Sequence, residues 1–568
     1  MLLRRTTIAA AAAVLFRSST LHFSTAAATT TAKKLFSKIP WRHRPKAIHE
    51  SQKALTDYLH STRSLPFFYA DKIARNSPQS LSNIVSGIAF SLPTFASSFQ
   101  RFLRYHPINE LDFFLESIGL NCCEDQSGRP VFPPNTFSLS DCRYYDAACA
   151  LASMGFPWSK LGLLCADGFS IFESNPLDLK RRIGEIKDVY GFNTVTVISI
   201  CLAFPRVLYN NSEKMGVLLS DLKVLFLDYD LLGCVEGGDV ESVFDVCEKI
   251  KYFYDPDREM GGMGELMGRN KSVLIEYPRE VLVSKIEFFR KLDIQNDEIC
   301  NFLLSKPEIF DVDLETQVVS VSGFLKQLGL SEDELESLKQ KYPHVFGRNR
   351  LANLPNAMRS MNLEKWFFQR LKNDNHNLLA NYTICCSEDV DRQYEEYLRK
   401  ILAKRTHVHT IKKLNFLHGI GFGENKYAAE ALGSLFSNGD QLQSRFDCLI
   451  NCGVEYSRLC TIIRWMPKIL NQQENKLVKK IEYLCNDLGL SLEYLDIFPG
   501  YMRFDLEKRI KPRCKFHKWL MERGLCKKKY ALATIIACSE KAYVAHLSRI
   551  SPDAVRVWEE GREDWASG

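Results

Sequence analysis

A chain of 568 residues, 46% hydrophobic and 25% charged, carries more apolar material than one core organises, so more than one domain is expected. Disordered and collagen-like classes are excluded by that composition, and no apolar run reaches the ~18 residues of a membrane-spanning helix. The net charge of +6 is uneven: residues 1–49 hold nine Lys and Arg and no acid, leaving 65 basic against 68 acidic residues beyond them. A uniformly basic nucleic-acid binder is therefore excluded.

Residues 1–45 are rich in Arg, Ala, Ser and Thr and lack acids, which predicts an organellar transit peptide. The alternative is a secretory signal with Thr6 to Phe16 as its apolar core, but cations continue to Lys46. The early Arg4 and Arg5 favour the mitochondrion, with the chloroplast as the alternative.

From about residue 50 the pattern becomes helical and repetitive. Prolines return at 29 residues (Pro78 to Pro107, Pro176 to Pro205, Pro278 to Pro307), at 36 (Pro307 to Pro343) and at 32 (Pro467 to Pro499). Gly453, Gly489 and Gly524 lie 36 and 35 residues apart. A period in the low thirties built from two helices predicts an all-α solenoid. Residues 50–225 form N-terminal repeats, with a loop insertion at 120–145 around Pro133 and Pro134. Residues 226–272 read as an interrupted repeat or linker. Residues 273–530 are C-terminal repeats with a basic surface, and 531–568 a last helix with a frayed acidic tail.

The unit VVSVSGFLKQLGLSEDELESLKQKYPHVF shows the logic. Val318, Val321, Leu325 and Leu328 are expected on a first helix that breaks at Gly329. Ser331 and Glu334 form a capping box, Leu335 and Leu338 the next stripe, and Pro343 the stop. Related units run through LRYHPINELDFFLESIGL, ESNPLDLKRRIGEIKDVYGF and IEYPREVLVSKIEFFRKLDI. Near the C-terminus Leu477, Ile481, Leu484 and Leu488 mark one buried face, released at Gly489. A short helix around Leu492 and Leu495 then ends near Pro499.

Charge is segregated along the repeats. Residues 226–345 hold 13 basic and 25 acidic residues, and 400–530 hold 24 basic and 13 acidic. The second region is the expected anion-binding one.

The proline, the LxxLG-like turn and the following helix together resemble the mitochondrial transcription termination factor (mTERF) family. FPGYMRFDLEKRIKPR, Phe498 to Arg513, is similar to the C-terminal hallmark of its plant members. The resemblance covers roughly residues 50–530, less closely at 226–272 and 365–410. It implies a right-handed, crescent-shaped superhelix of helix–helix–3₁₀ repeats. It also implies nucleic-acid binding on a basic concave side, in organellar transcription or its termination, intron splicing or ribosome assembly.

No catalytic, cofactor or metal site is expected. The eighteen cysteines are scattered, with adjacent pairs at Cys122/Cys123 and Cys385/Cys386 but no CxxC. Buried free thiols are the expected state. GGMGELMGRNKS, Gly261 to Ser272, lacks the spacing and GK[ST] ending of a phosphate loop and is expected to be a flexible turn. His407 and His409, two apart, face opposite sides of a helix, and with His418 are expected at the surface.

Phosphate contact needs only Lys or Arg along stacked helices. The candidates are Lys412, Lys413, Arg464, Lys468, Lys476, Lys479, Lys480, Lys508, Arg509, Lys511, Arg513, Lys515 and Lys518. Trp465, Tyr501 and Trp519 are expected to pack between repeats rather than stack on a base. The expected partner is organellar double-stranded DNA, with RNA second. The alternative is a protein scaffold of the nucleoid or transcription machinery, docking through the acidic 226–345 region.

Overall fold

The computed structural model describes residues 35–561 except 92, 107, 121–142, 166–169, 211, 255–261, 385–390 and 527–529. The leader, the loop insertion, both adjacent cysteine pairs and the first glycine of GGMG thus lie largely or wholly outside the described residues. Two compact units are present, Met1–Leu282 and Val283–Gly568. Apart from one two-stranded pairing, the described elements are helical. No single described helix is long and apolar enough to cross a membrane.

Four of the repeats are closed by the same backbone event. Phe204, Lys306, Met466 and Phe498 each precede a proline and hold ψ of 71, 65, 65 and 71°, outside the helical region. Each proline then opens a 3₁₀ turn: Pro205–Leu208, Pro307–Asp311, Pro467–Asn471 and Pro499–Arg503. Between the two helices, Gly453, Gly489 and Gly524 take φ of +90, +64 and +70°, which a side chain would strain. Starts are capped: Asn193 accepts from Thr196 N at 2.8 Å, and Asn438 from Gln441 N at 2.8 Å.

In the second unit the first helices pack in a row, His407–Gly419 on Gly439–Asn451 and the latter on Glu474–Glu482. The second helices form another row, Lys426–Ser434 on Tyr456–Trp465 and that on Tyr494–Ile497. The 3₁₀ turns Pro467–Asn471 and Pro499–Arg503 pack on each other. Leu477, Ile481 and Leu484 are buried in the shared core, and Leu488 packs against its edge.

A buried or half-buried cation on the first helix ties it to the closing end of its own repeat. Arg182 donates to Val207 O at 3.0 Å, Lys249 to Leu274 O at 3.1 Å, and Lys285 to Val312 O. Lys413 donates to Leu435 O at 3.1 Å, Arg445 to Leu470 O at 2.7 Å, Lys480 to Met502 O at 3.0 Å, and Arg513 to Cys538 O at 2.8 Å. The last four stand 32, 35 and 33 residues apart, one per repeat. The physical reason is the same at each. Carbonyls at the end of a helix or 3₁₀ turn have no partner within it, and a cation there also meets the negative end of the dipole.

Several expectations need correction. Val318 lies not on a helix but in a strand, Val318–Ser320, antiparallel to Arg348–Arg350. The helix begins only at Val321, because Ser320 caps it by accepting from Gly323 N at 3.4 Å. The capping box at Ser331 and Glu334 is present in both directions, 3.3 and 3.0 Å. GGMG is not a flexible turn where described: Met263–Arg269 is a helix. A Cβ on Gly264 would sit 2.3 Å from Asp221 O, and one on Gly268 2.3 Å from the Tyr229 ring, so these glycines permit close packing. His407 and His409 are exposed, but His418 is half-buried, its Nδ1 2.9 Å from Phe422 O. The C-terminal segment does not fray before Glu560. Pro552–Glu560 is a helix whose Trp558 is 2% exposed and donates to Glu540 at 3.0 Å.

Candidate nucleic-acid interface

Two neighbouring 3₁₀ turns, Pro467–Asn471 and Pro499–Arg503, and the helix Glu474–Glu482 enclose a cleft of about 860 Å³. Lys468, Lys476, Lys479, Lys480 and Arg503 line it, against two acids, Asp505 and Glu507. Both acids are already engaged. Asp505 caps the Lys508 backbone N–H at 2.8 Å, and Glu507 pairs with Lys511 at 2.7 Å. Lys468, Lys476, Lys479 and Arg503 are exposed, and among the described residues none has an ion-pair partner.

The floor is held by side chains that use both ends of their amides. Asn471 donates to Ser434 O at 3.0 Å and accepts from Phe436 N at 2.9 Å. Gln472 donates to Met502 O at 2.9 Å and accepts from Lys480. Tyr501 Oη donates to Lys480 O at 2.8 Å. Burial pushes the Lys480 ammonium down to about 8. A second hollow of about 720 Å³ has the opposite sign, lined by Asp440, Asp447 and Glu474 with Cys448 and Cys452. Burial raises both of those thiols above the ordinary range.

The structure divides the thirteen sequence candidates. Lys468, Lys476 and Lys479 come together in the positive cleft, with Lys480 in its floor. Lys412, Lys508 and Lys518 are exposed but do not line it. Lys511 is paired with Glu507, and the Lys515 Nζ is buried with no hydrogen-bond partner among the described residues. Arg464 is half-buried, its guanidinium 4.3 Å from the centre of the Trp465 ring, and burial lowers its pKa.

Four candidates are corrected. Lys413, Lys480 and Arg513 are 8, 3 and 2% exposed and bond the closing carbonyls of their own repeats, so they face carbonyls rather than solvent. Arg509 turns inward as well, donating to Ile536 O at 2.9 Å and to Cys538 O. Of the aromatics, Tyr501 is buried and Trp519 stacks on Phe516 at 5.5 Å, but Trp465 is 66% exposed and lines the cleft.

Arg503 was missed. It ends a 3₁₀ turn, where no helical period applies. Its signal is the turn itself, since Lys468 is carried by the corresponding turn one repeat earlier.

The mTERF family model matches residues 240–361 and 400–544, a span that contains the cleft. The chain is 43% identical over 526 residues to the mitochondrial transcription termination factor MTEF18 of Arabidopsis thaliana, covering 92% of this chain and 93% of the relative. It is 21% identical over 426 residues to the mitochondrial transcription termination factor MTERF15 of the same plant, 73% and 81% of the two chains. With the chloroplastic factor MTERF8, also from Arabidopsis thaliana, it shares 22% identity over 293 residues, 50% and 52%. Proline-closed helix pairs recurring through the chain, and near-full-length similarity at 43%, lead to one assignment: the chain belongs to the mTERF family.

Proposed function

We propose that this chain binds mitochondrial nucleic acid through the positive cleft of its second unit and acts in mitochondrial gene expression, in transcription or its termination. The organelle follows the 43% identical relative, whose name is mitochondrial, and agrees with the acid-free leader. The observation that carries the binding is the set Lys468, Lys476, Lys479 and Arg503, exposed around one hollow whose acids are engaged elsewhere. Unpaired cations at a rim release counterions when they meet phosphates.

Double-stranded DNA is the reference target, because phosphate contact alone requires no open strand. RNA, with a role in splicing or ribosome assembly, is the second reading and is favoured by the modest volume of the cleft. The test is a titration of the purified chain against a labelled duplex and the same-sequence RNA over a series of salt concentrations. Binding at low salt with a log–log slope of at least about −3 is the expected result. No binding at low salt, or a flat response, would remove the proposal.

A further inference from the structure

We infer that the cleft is a seat for an unpaired nucleotide, with Trp465 as its stacking platform and the amides of Gln473 and Asn475 as its readers of the base edge. The inference rests on the nucleic-acid reading and goes beyond it: the rim cations alone can meet a duplex, whereas the hollow they surround takes an unpaired base.

Four observations meet here. Trp465 is 66% exposed although it closes a helix whose other large apolar side chains, Leu459, Ile462 and Ile463, are buried. One face of its ring is taken by the Arg464 guanidinium at 4.3 Å. That contact fixes the indole and leaves its other face for a second flat partner. Every nucleobase offers such a face, and stacking of this kind does not depend on base identity.

The amides supply what stacking lacks. Asn471 and Gln472 spend their donors and acceptors on the floor, whereas Gln473 and Asn475 are exposed and hold no side-chain hydrogen bond among the described residues. A carboxamide carries a donor and an acceptor side by side, the pattern that pairs with one base edge. Lys476 and Lys479 follow on the helix that begins at Glu474 and line the same hollow, a supply of cations for the phosphates that flank such a base.

Size decides between single strand and duplex. About 860 Å³ is the volume of a small-molecule site, with room for one or two nucleotides. A base still paired presents its edge but hides its face, so it cannot use Trp465. An unpaired strand uses platform, amides and cations together.

The test compares wild-type chain with Trp465→Ala, Trp465→Phe and the double variant Gln473→Leu/Asn475→Leu. Probes are single-stranded 12-mers of each base, a strand with one abasic position, and a blunt duplex. Trp465→Ala is expected to weaken single-strand binding about 5- to 150-fold. Duplex binding should change less than about twofold, with the single-strand salt slope unaltered. Trp465→Phe should restore most of the loss, and the amide variant should flatten the preference among the four 12-mers. Equal weakening of single strand and duplex, or none in either while wild type still binds, would overturn the inference and leave nucleic-acid binding standing. Wild-type chain that binds neither probe at low salt would overturn both.

Discussion

Arg513 carries the sharpest prediction, because sequence and structure assign it different work. Its side chain is 2% exposed. It donates to Ile535 O at 3.1 Å and Cys538 O at 2.8 Å, pairs with Glu540 at 2.7 Å, and lies 4.4 Å from the centre of the Tyr543 ring. Replacement by alanine removes the guanidinium donor to Ile535 O, leaves Cys538 O to Arg509 alone, and breaks the ion pair that joins Lys511–Glu522 to the C-terminal helix Glu540–Ile550. Removing one partner of a buried pair costs roughly 3–5 kcal/mol. Glu540 is 40% exposed and recovers some hydration, so about 3 kcal/mol is expected here.

Because the chain forms two units, a single unfolding midpoint is the wrong readout. Hydrogen exchange of peptides from residues 532–560 reports the local opening directly. Arg513→Ala should lower their protection by about two orders of magnitude, with peptides of the first unit unchanged. The salt slope of nucleic-acid binding should stay as in wild type. A loss of protection below threefold, accompanied by a slope reduced by about 0.9, would show that Arg513 contacts phosphate and would refute its buried role.

Lys480 gives a pH signature. Its folded pKa of about 8 lies below the model-compound value of 10.5, so between these pH values the unfolded chain holds a proton that the folded chain has released. Unfolding then takes up a proton, and stability rises with pH across that window. Relative to Lys480→Met, wild type should gain up to roughly 3 kcal/mol between pH 7 and 11 in urea titrations that follow a probe in the second unit. A gap that stays constant contradicts the assignment. Ser331→Ala removes half of the capping box and should cost about 1 kcal/mol, read as faster exchange confined to Glu332–Lys341. Trp558→Ala empties the small core formed with Phe516, Leu520 and Tyr543 and should cost roughly 3–5 kcal/mol in the same C-terminal peptides as Arg513→Ala. Unchanged exchange there would mean that the last helix does not pack.

Much of the fold was legible because its determinants are local. Leu477, Ile481 and Leu484 announce a buried face by spacing alone, Ser331 and Glu334 announce a helix start, and the prolines after Phe204, Lys306, Met466 and Phe498 all bring the same backbone break. The paired strands were not legible, since three residues at Val318–Ser320 have no strand character until Arg348–Arg350 arrives from 28 residues away.

The site was half legible. Counting cations over 400–530 led to the region that holds the cleft but treated Lys476, Lys479 and Lys480 as equals. Periodicity separates them: Lys480 is three residues after Leu477 and four before Leu484, so it belongs to the apolar face, whereas Lys476 and Lys479 do not. Arg513 stands likewise three residues from both Ile510 and Phe516. The exposure of Trp465 had no such signal, because a tryptophan ending a helix reads the same whether it packs or projects.

The central claim is that the free cations of one cleft meet phosphate, and replacing Lys468, Lys476 and Lys479 together by methionine tests it most directly. With folding checked by hydrogen exchange, the log–log salt slope of nucleic-acid binding should fall in magnitude by about 2 to 3, with affinity lost at low salt. A variant that keeps the wild-type slope and affinity would place the polyanion elsewhere and contradict the account.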